Sequence, residues 1–153
     1  MFSVFGFYKF KKIKNLMKIK KILHSEILYN EVRGTIIISK EGINGTLSGN
    51  TNNLLNTIKI LKKIILIKKF DLIFIDADKE NYIKYYDLCF HLISNKGLIL
   101  IDNVLWKGEV IDKNKNDRIT NIIRDFNTYI KNDDRIEKTI LPIGDGITIC
   151  RKI

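Results

Sequence analysis

The chain has 153 residues, 45% of them hydrophobic and 29% charged, with a formal net charge of +10. This composition fits one ordinary globular domain or two small ones and excludes collagenous and disordered classes. No apolar run nears the roughly 18 residues of a membrane span, and the two cysteines, Cys89 and Cys150, lack ligand spacing and exclude a disulfide scaffold.

Met1 to Phe7 is apolar and the basic residues follow it, the reverse of a secretory leader. With two free thiols in apolar surroundings, a reducing cytoplasmic location is the expectation. Phe2 to Phe10 alternates and is rich in aromatics, which predicts a strand. Leu16, Ile19, Leu23 and Ile27 fall at helical spacing, with Lys14, Lys18 and Lys21 on the other faces. Gly34 to Ser39 is a β-branched run predicted as a strand, and Lys40 to Gly45 a hairpin loop using Gly42 and Gly45 for positive φ, the alternative being a phosphate-cradling loop that lacks the trailing Gly-Lys-Ser/Thr of a P-loop. Thr46 to Ser48 is a second short strand. Thr51 or Asn52 then caps a helix with the apolar stripe Leu54, Ile58, Leu61 and Ile65. The order β-α-β-β-α is a ferredoxin-like unit without its last strand.

The grammar changes near residue 67. Leu72 to Ile75 is a continuous apolar run, as in a strand buried on both faces. A helix follows from Lys79 to Ser94, stopped by Asn95-Lys96-Gly97, and Leu98 to Ile101 is a second buried strand. Ile119, Ile122, Ile123, Phe126 and Ile130 mark another helix. Arg135 to Leu141 and Ile147 to Lys152 are strands around the turn Gly144-Asp145-Gly146. By the crossover rule the first two of these strands are parallel. Charge divides the same way: residues 1–66 carry 12 basic against 3 acidic side chains, and residues 67–153 carry 15 against 14. The basic excess therefore belongs to the first half.

Asp76 and Asp78 follow the first buried strand, and Asp102 and Asn103 follow the second. As parallel neighbours these strands bring both clusters to one carboxyl edge, about 4.8 Å apart. That edge is the ligand crevice of open α/β sheets. Two carboxylates and an amide oxygen suit Mg2+, Mn2+ or Ca2+; the plainer alternative is that these residues cap helices, as Asp78 before Lys79 would. Lys79 is either a base beside a cation or a solvated helix-start lysine. Trp106 and Tyr82 offer planar faces to a substrate or to the core, and Asp145 reads as a turn residue. The lysines of residues 9–21, interleaved with Phe10, Ile13 and Leu16, either track the phosphates of an RNA or form a solvated face.

The segments FDLIFIDADKENYIKYYD, GLILIDNVLWKGEV, IRDFN and LPIGDGITICRK occur in the order found in cation-dependent O-methyltransferases of the caffeoyl-CoA and catechol type. The second half, about residues 68–153, resembles that family. The resemblance implies Asp76, Asp102 and Asn103 as metal ligands and Lys79 as general base. It places Asp76 and Asp78 beside the S-adenosylmethionine site. The implied reaction has a divalent cation holding two vicinal oxygens of a catechol-like substrate while Lys79 takes a proton and the oxygen attacks the sulfonium methyl.

FYKF and RGTIIISKEGINGTLSG, over about residues 5–65, resemble instead the N-terminal domain of rhodanese-domain tRNA uridine hydroxylases. The reactive cysteine of that family has no counterpart here, so no hydroxylating role carries over. The expectation is an α/β chain in which a ferredoxin-like basic segment, 1–66, is fused to the C-terminal half of an O-methyltransferase domain, 67–153. The latter would be a partial Rossmann-like sheet of two parallel strands plus a C-terminal hairpin. The family's glycine turn after its first strand and acidic residue after its second, which hold the cofactor, have no counterpart upstream of Phe70. Phe70 to Ile75 is expected to serve both halves in one sheet, and the exposed edges to favour self-association. The predicted function is a metal- and S-adenosylmethionine-dependent O-methyltransferase with weak cofactor binding. The rivals are a basic RNA-associating protein and a non-functional gene-fusion remnant.

Overall fold

A computed structural model describes residues 2–153. Among these residues seven strands form one sheet: β1 (Phe2–Phe10), β2 (Arg33–Ile38), β3 (Gly42–Asn50), β4 (Phe70–Ile75), β5 (Ile93–Ile101), β6 (Ile136–Leu141) and β7 (Ile147–Lys152), in the order β2-β3-β1-β4-β5-β7-β6. Four helices connect them: α1 (Leu16–Tyr29), α2 (Thr51–Ile64), α3 (Tyr82–Leu92) and α4 (Arg118–Lys131). β4 is the hinge of the topology. It pairs antiparallel with β1, setting Phe5 against Ile75, and parallel with β5, setting Ile75 against Ile101. One strand thus joins the sheet of both halves, as its apolar run at the junction anticipated. No helix of the described residues is long and apolar enough to cross a membrane.

Alternation along the strands decides where the core lies. Phe5, Phe7, Leu47, Ile73, Ile75, Ile99 and Ile101 point to one face and are buried beneath the helices. The Phe5, Phe7 and Phe70 rings meet there at centroid distances of 5.3 to 5.7 Å and tie β1 to β4. The neighbours on the other face, Leu72, Phe74, Leu98 and Leu100, are only half-buried. The runs at 72–75 and 98–101 are therefore covered on one side, where two-sided burial was expected.

Local chemistry accounts for three further differences. Gly42 and Gly45 do not take positive φ; most of the predicted loop is strand β3, closed onto β2 by Ser39, whose Oγ accepts from the Glu41 and Gly42 amides at 3.2 Å. A Cβ on Gly45 would lie 2.6 Å from the Thr35 carbonyl oxygen, so close strand approach demands glycine there. Helix α2 is capped one residue earlier than predicted, by the Asn50 side chain accepting from the Asn52 amide at 3.1 Å. Helix α3 stops at Leu92, and Asn95 to Gly97 belong to β5. Ser94 draws the chain into the sheet by donating to the Phe70 carbonyl at 2.8 Å. The turn Gly144-Asp145-Gly146 forms as expected, with both glycines at positive φ.

Candidate active site

The register Ile75 opposite Ile101 releases Asp76 and Asp102 from adjacent strands at one level, at the carboxyl edge of the parallel pair. The ladder continues one step, with the Asp102 amide donating to the Ile75 carbonyl at 3.1 Å. Past it the chain turns sharply, because Asn103 adopts φ 57°. The Asp102 carboxylate accepts from the Asn103 amide at 2.7 Å and steadies that turn.

Lys79 stands at the centre of the cluster. Its side chain is 12% exposed, and its Nζ donates to Asn103 Oδ1 at 2.7 Å and lies 3.8 Å from Asp76 Oδ1. It also donates to the Tyr82 hydroxyl, which itself donates to the Asp102 carbonyl at 2.9 Å. Tyr82 is a core residue, T-stacked on Phe126 at 5.2 Å, so only its hydroxyl reaches the site and its ring is no substrate platform. Burial lowers the Lys79 pKa, against the raising fields of Asp76, Asp102, Asp145 and Asp78. Burial favours the neutral amine that a base requires, the surrounding carboxylates favour the ammonium, and burial outweighs them.

The remaining candidates fall elsewhere. Asp78 is engaged on both oxygens: Oδ1 accepts from the Tyr85 hydroxyl at 2.6 Å and Oδ2 from the Asn81 amide group. Tyr85 in turn meets Ser3 Oγ at 2.9 Å, and Ser3 meets Thr51 Oγ1 at 2.9 Å. Asp78 thus fastens the second half to the first. Trp106 is half-buried in the loop after β5, whose amide at Lys107 donates to the Asp145 carboxylate. Asp145 reaches the site's field, which the reading as a plain turn residue missed. The pairing of β7 antiparallel to β5 brings Asp145 there, since β7 begins where β5 ends. Of the phosphate-tracking lysines, Lys9 is paired with Asp71 at 2.7 Å and Lys11 donates to the Leu66 carbonyl at 2.6 Å. Lys12, Lys14, Lys18, Lys20 and Lys21 are exposed. Cys89 and Cys150 are buried free thiols, each pushed up to about 12 by burial.

Asp76, Asp102 and Asn103 offer carboxylate and amide oxygens at adjacent strand ends, the donor type that a hard cation takes. Among the described residues no three His, Cys, Asp or Glu side chains form a metal-holding group, and the Lys79 ammonium takes the Asn103 oxygen. The residues do not fit S-adenosylmethionine in the same way. Because β1 is antiparallel to β4, its following turn, Lys11 to Asn15, lies at the opposite edge from Asp76 and Asp102. A cradle after the first strand therefore has no path to the crevice.

A family model described as O-methyltransferase matches residues 9–153. Among curated proteins, the chain is 41% identical over 90 residues to caffeoyl-CoA O-methyltransferase 1 of Zea mays, covering 55% of this chain and 35% of that one. It is also 54% identical over 71 residues to a tRNA uridine(34) hydroxylase of Pelagibacter ubique, covering 46% of this chain and 24% of that one. The chain thus spans well under half the length of these relatives. An O-methyltransferase from Bacillus cereus, solved with SAH, aligns with TM-score 0.52 at 31% identity over 65% of this chain and 47% of that one. A Staphylococcus aureus structure, provisionally assigned as a caffeoyl-CoA O-methyltransferase, covers 94% of this chain and 86% of its own at TM-score 0.54 and 22% identity, a likeness of fold. With residues 9–153 matched by that family model, the chain belongs to the O-methyltransferase family.

Proposed function

We propose that the chain carries the cation and acceptor side of an O-methyltransferase site without a full cofactor cradle. The observation that carries this reading is Lys79 Nζ held 2.7 Å from Asn103 Oδ1 and 3.8 Å from Asp76 at the ends of β4 and β5. Asp76, Asp102 and Asn103 would hold a divalent cation, which supplies Lewis acidity and a template for two vicinal oxygens of a catechol-like acceptor. Lys79, lowered in pKa by burial, takes the acceptor hydroxyl proton on Nζ. The Tyr82 hydroxyl holds that nitrogen at the crevice when Asn103 Oδ1 is given to the cation. Contacts to S-adenosylmethionine would come from the β4 and β5 side alone, so the residues of this chain serve the acceptor and leave the methyl donor weakly held. The assignment is tested by Mn2+ binding followed by electron paramagnetic resonance. Asp102→Ala and Asn103→Ala should each weaken binding at least about tenfold, and unchanged affinity in both would rule out a cation at this site.

The same reading divides the chain near residue 67. Strand order β2-β3-β1-β4, antiparallel throughout, supports a ferredoxin-like first unit that borrows β4 as its fourth strand. A fusion of two gene segments accounts for the two sets of relatives. A second reading, a basic RNA-associating surface, is favoured by one cleft lined by Lys12, Lys14, Lys18 and Lys40 at the start of α1. Filter binding to tRNA across a salt series tests it: affinity should fall steeply with salt, and a flat or absent response rejects it.

A further inference from the structure

The sheet has two faces, and among the described residues the four helices lie on one of them. On that face α2 and α3 meet over Phe5 and Ile75. The other face carries Leu72 opposite Leu98 and Phe74 opposite Leu100, with Ile149 beyond Leu100 and Gly6 beyond Phe74. These side chains form an apolar patch on strands whose sequence is that of two-sided burial, bordered on the Leu98 row by Arg151 and Glu137, and no helix reaches it. Parallel strand pairs are normally covered on both faces.

We propose that this helix-free face is a homodimer interface in which two copies pack sheet against sheet. Its size suits a second copy. Six strand spacings of about 4.8 Å by six residues of about 3.3 Å give a face close to 600 Å². Specific interfaces begin near 1,200 Å² in total, or about 600 Å² per partner. Its anatomy suits one too, since the apolar centre is bordered by Asn44, Thr46, Ser48 and Thr139, and an apolar middle with a polar rim is the usual plan.

Charge does not oppose the pairing despite the net +10. The charged side chains in the central rows, Arg151 and Glu137, are already paired with each other. The lysine-rich helix α1 packs against α2 on the far side of the sheet, and sheets packed face to face sit about 10 Å apart. The lysines of two copies are then separated by more than a Debye length at physiological salt.

The test is sedimentation velocity on the full chain over about 1 to 100 µM. The expected result is a reversible species of twice 17.9 kDa. Phe74→Lys should abolish it, and Thr46→Lys, at an exposed position in the same row, should raise the dissociation constant at least about tenfold with recovery in high salt. If Phe74→Lys fails to fold, Thr46→Lys decides. A wild-type chain monomeric at about 100 µM, or a dimer indifferent to Thr46→Lys, overturns the proposal.

Discussion

At the edge of the sheet where β4 and β5 end, the two halves deliver opposite things. The second half brings two parallel strands to their carboxyl ends and, with them, Asp76, Asp102, Asn103 and Lys79. The first half brings β1 there by its amino end, because β1 runs antiparallel to β4. What it contributes at that edge is a set of hydroxyls, Ser3 and Thr51, already engaged through Tyr85 with Asp78. A sheet position filled by a strand of the wrong direction completes the hydrogen-bonded ladder and the core. It places the turn after β1, Lys11 to Asn15, at the opposite edge from Asp76 and Asp102. The two sides of the crevice therefore differ at β1, with hydroxyls engaged across the halves on one side and the Lys79 cluster on the other.

The largest effect is expected at the seam. Phe70 is fully buried against the Phe5 and Phe7 rings, so Phe70→Ala should cost about 3–5 kcal/mol. Fluorescence of the one tryptophan, Trp106 in the second half, and far-UV dichroism of the whole chain should then show one shared transition at lower urea. Two separate transitions would mean that the halves fold independently and that β4 joins them in geometry alone.

A smaller effect separates the halves, because the second has a buried charge anchor of its own. The Asp133 carboxylate, 4% exposed, accepts from Arg135 Nε at 2.9 Å, Arg135 Nη2 at 2.7 Å and the Tyr86 hydroxyl at 2.8 Å. The Arg135 side-chain hydrogen bonds, outweighing burial, hold this carboxyl far below its ordinary range. A depressed folded-state pKa gives stability that is complete above the unfolded value of about 3.9 and is lost as pH falls from there toward the folded value. Asp133→Asn should therefore cost about 2 kcal/mol at pH 7 and progressively less in acid below about pH 4. A penalty independent of pH down to about 2 would contradict the charged anchor.

Much of the fold was legible because it rests on local pattern. The stripes of α1, α2 and α4, the alternation of β1 and the glycine turn around Asp145 all formed within a residue or two of where their sequence places them. Misreadings arose where distant partners decide. Asn95 to Gly97 resemble a helix stop, but Ser94 bonding to Phe70 makes them strand. Leu72 and Phe74 read as buried because their chemistry asks for cover, and nothing in their neighbourhood of sequence says that cover is absent on one side. At the site, residue types and strand ends were legible, since parallel neighbours release their following residues together. The roles within it were less so. That Lys79 bridges Asn103 and Asp76, that Asp78 faces the first half, and that Asp145 enters the field all depend on contacts dozens of residues apart.

The proposed contrast between a cation and acceptor side and an incomplete cofactor cradle is tested most directly by calorimetric titration of one protein sample with Mn2+ and then with S-adenosylmethionine. The expected result is saturable Mn2+ binding near one ion per chain, absent in Asp102→Ala, and no S-adenosylmethionine heat at about millimolar concentration, the range of about −4 kcal/mol. Micromolar S-adenosylmethionine binding, or no Mn2+ binding by the wild-type chain, would contradict it.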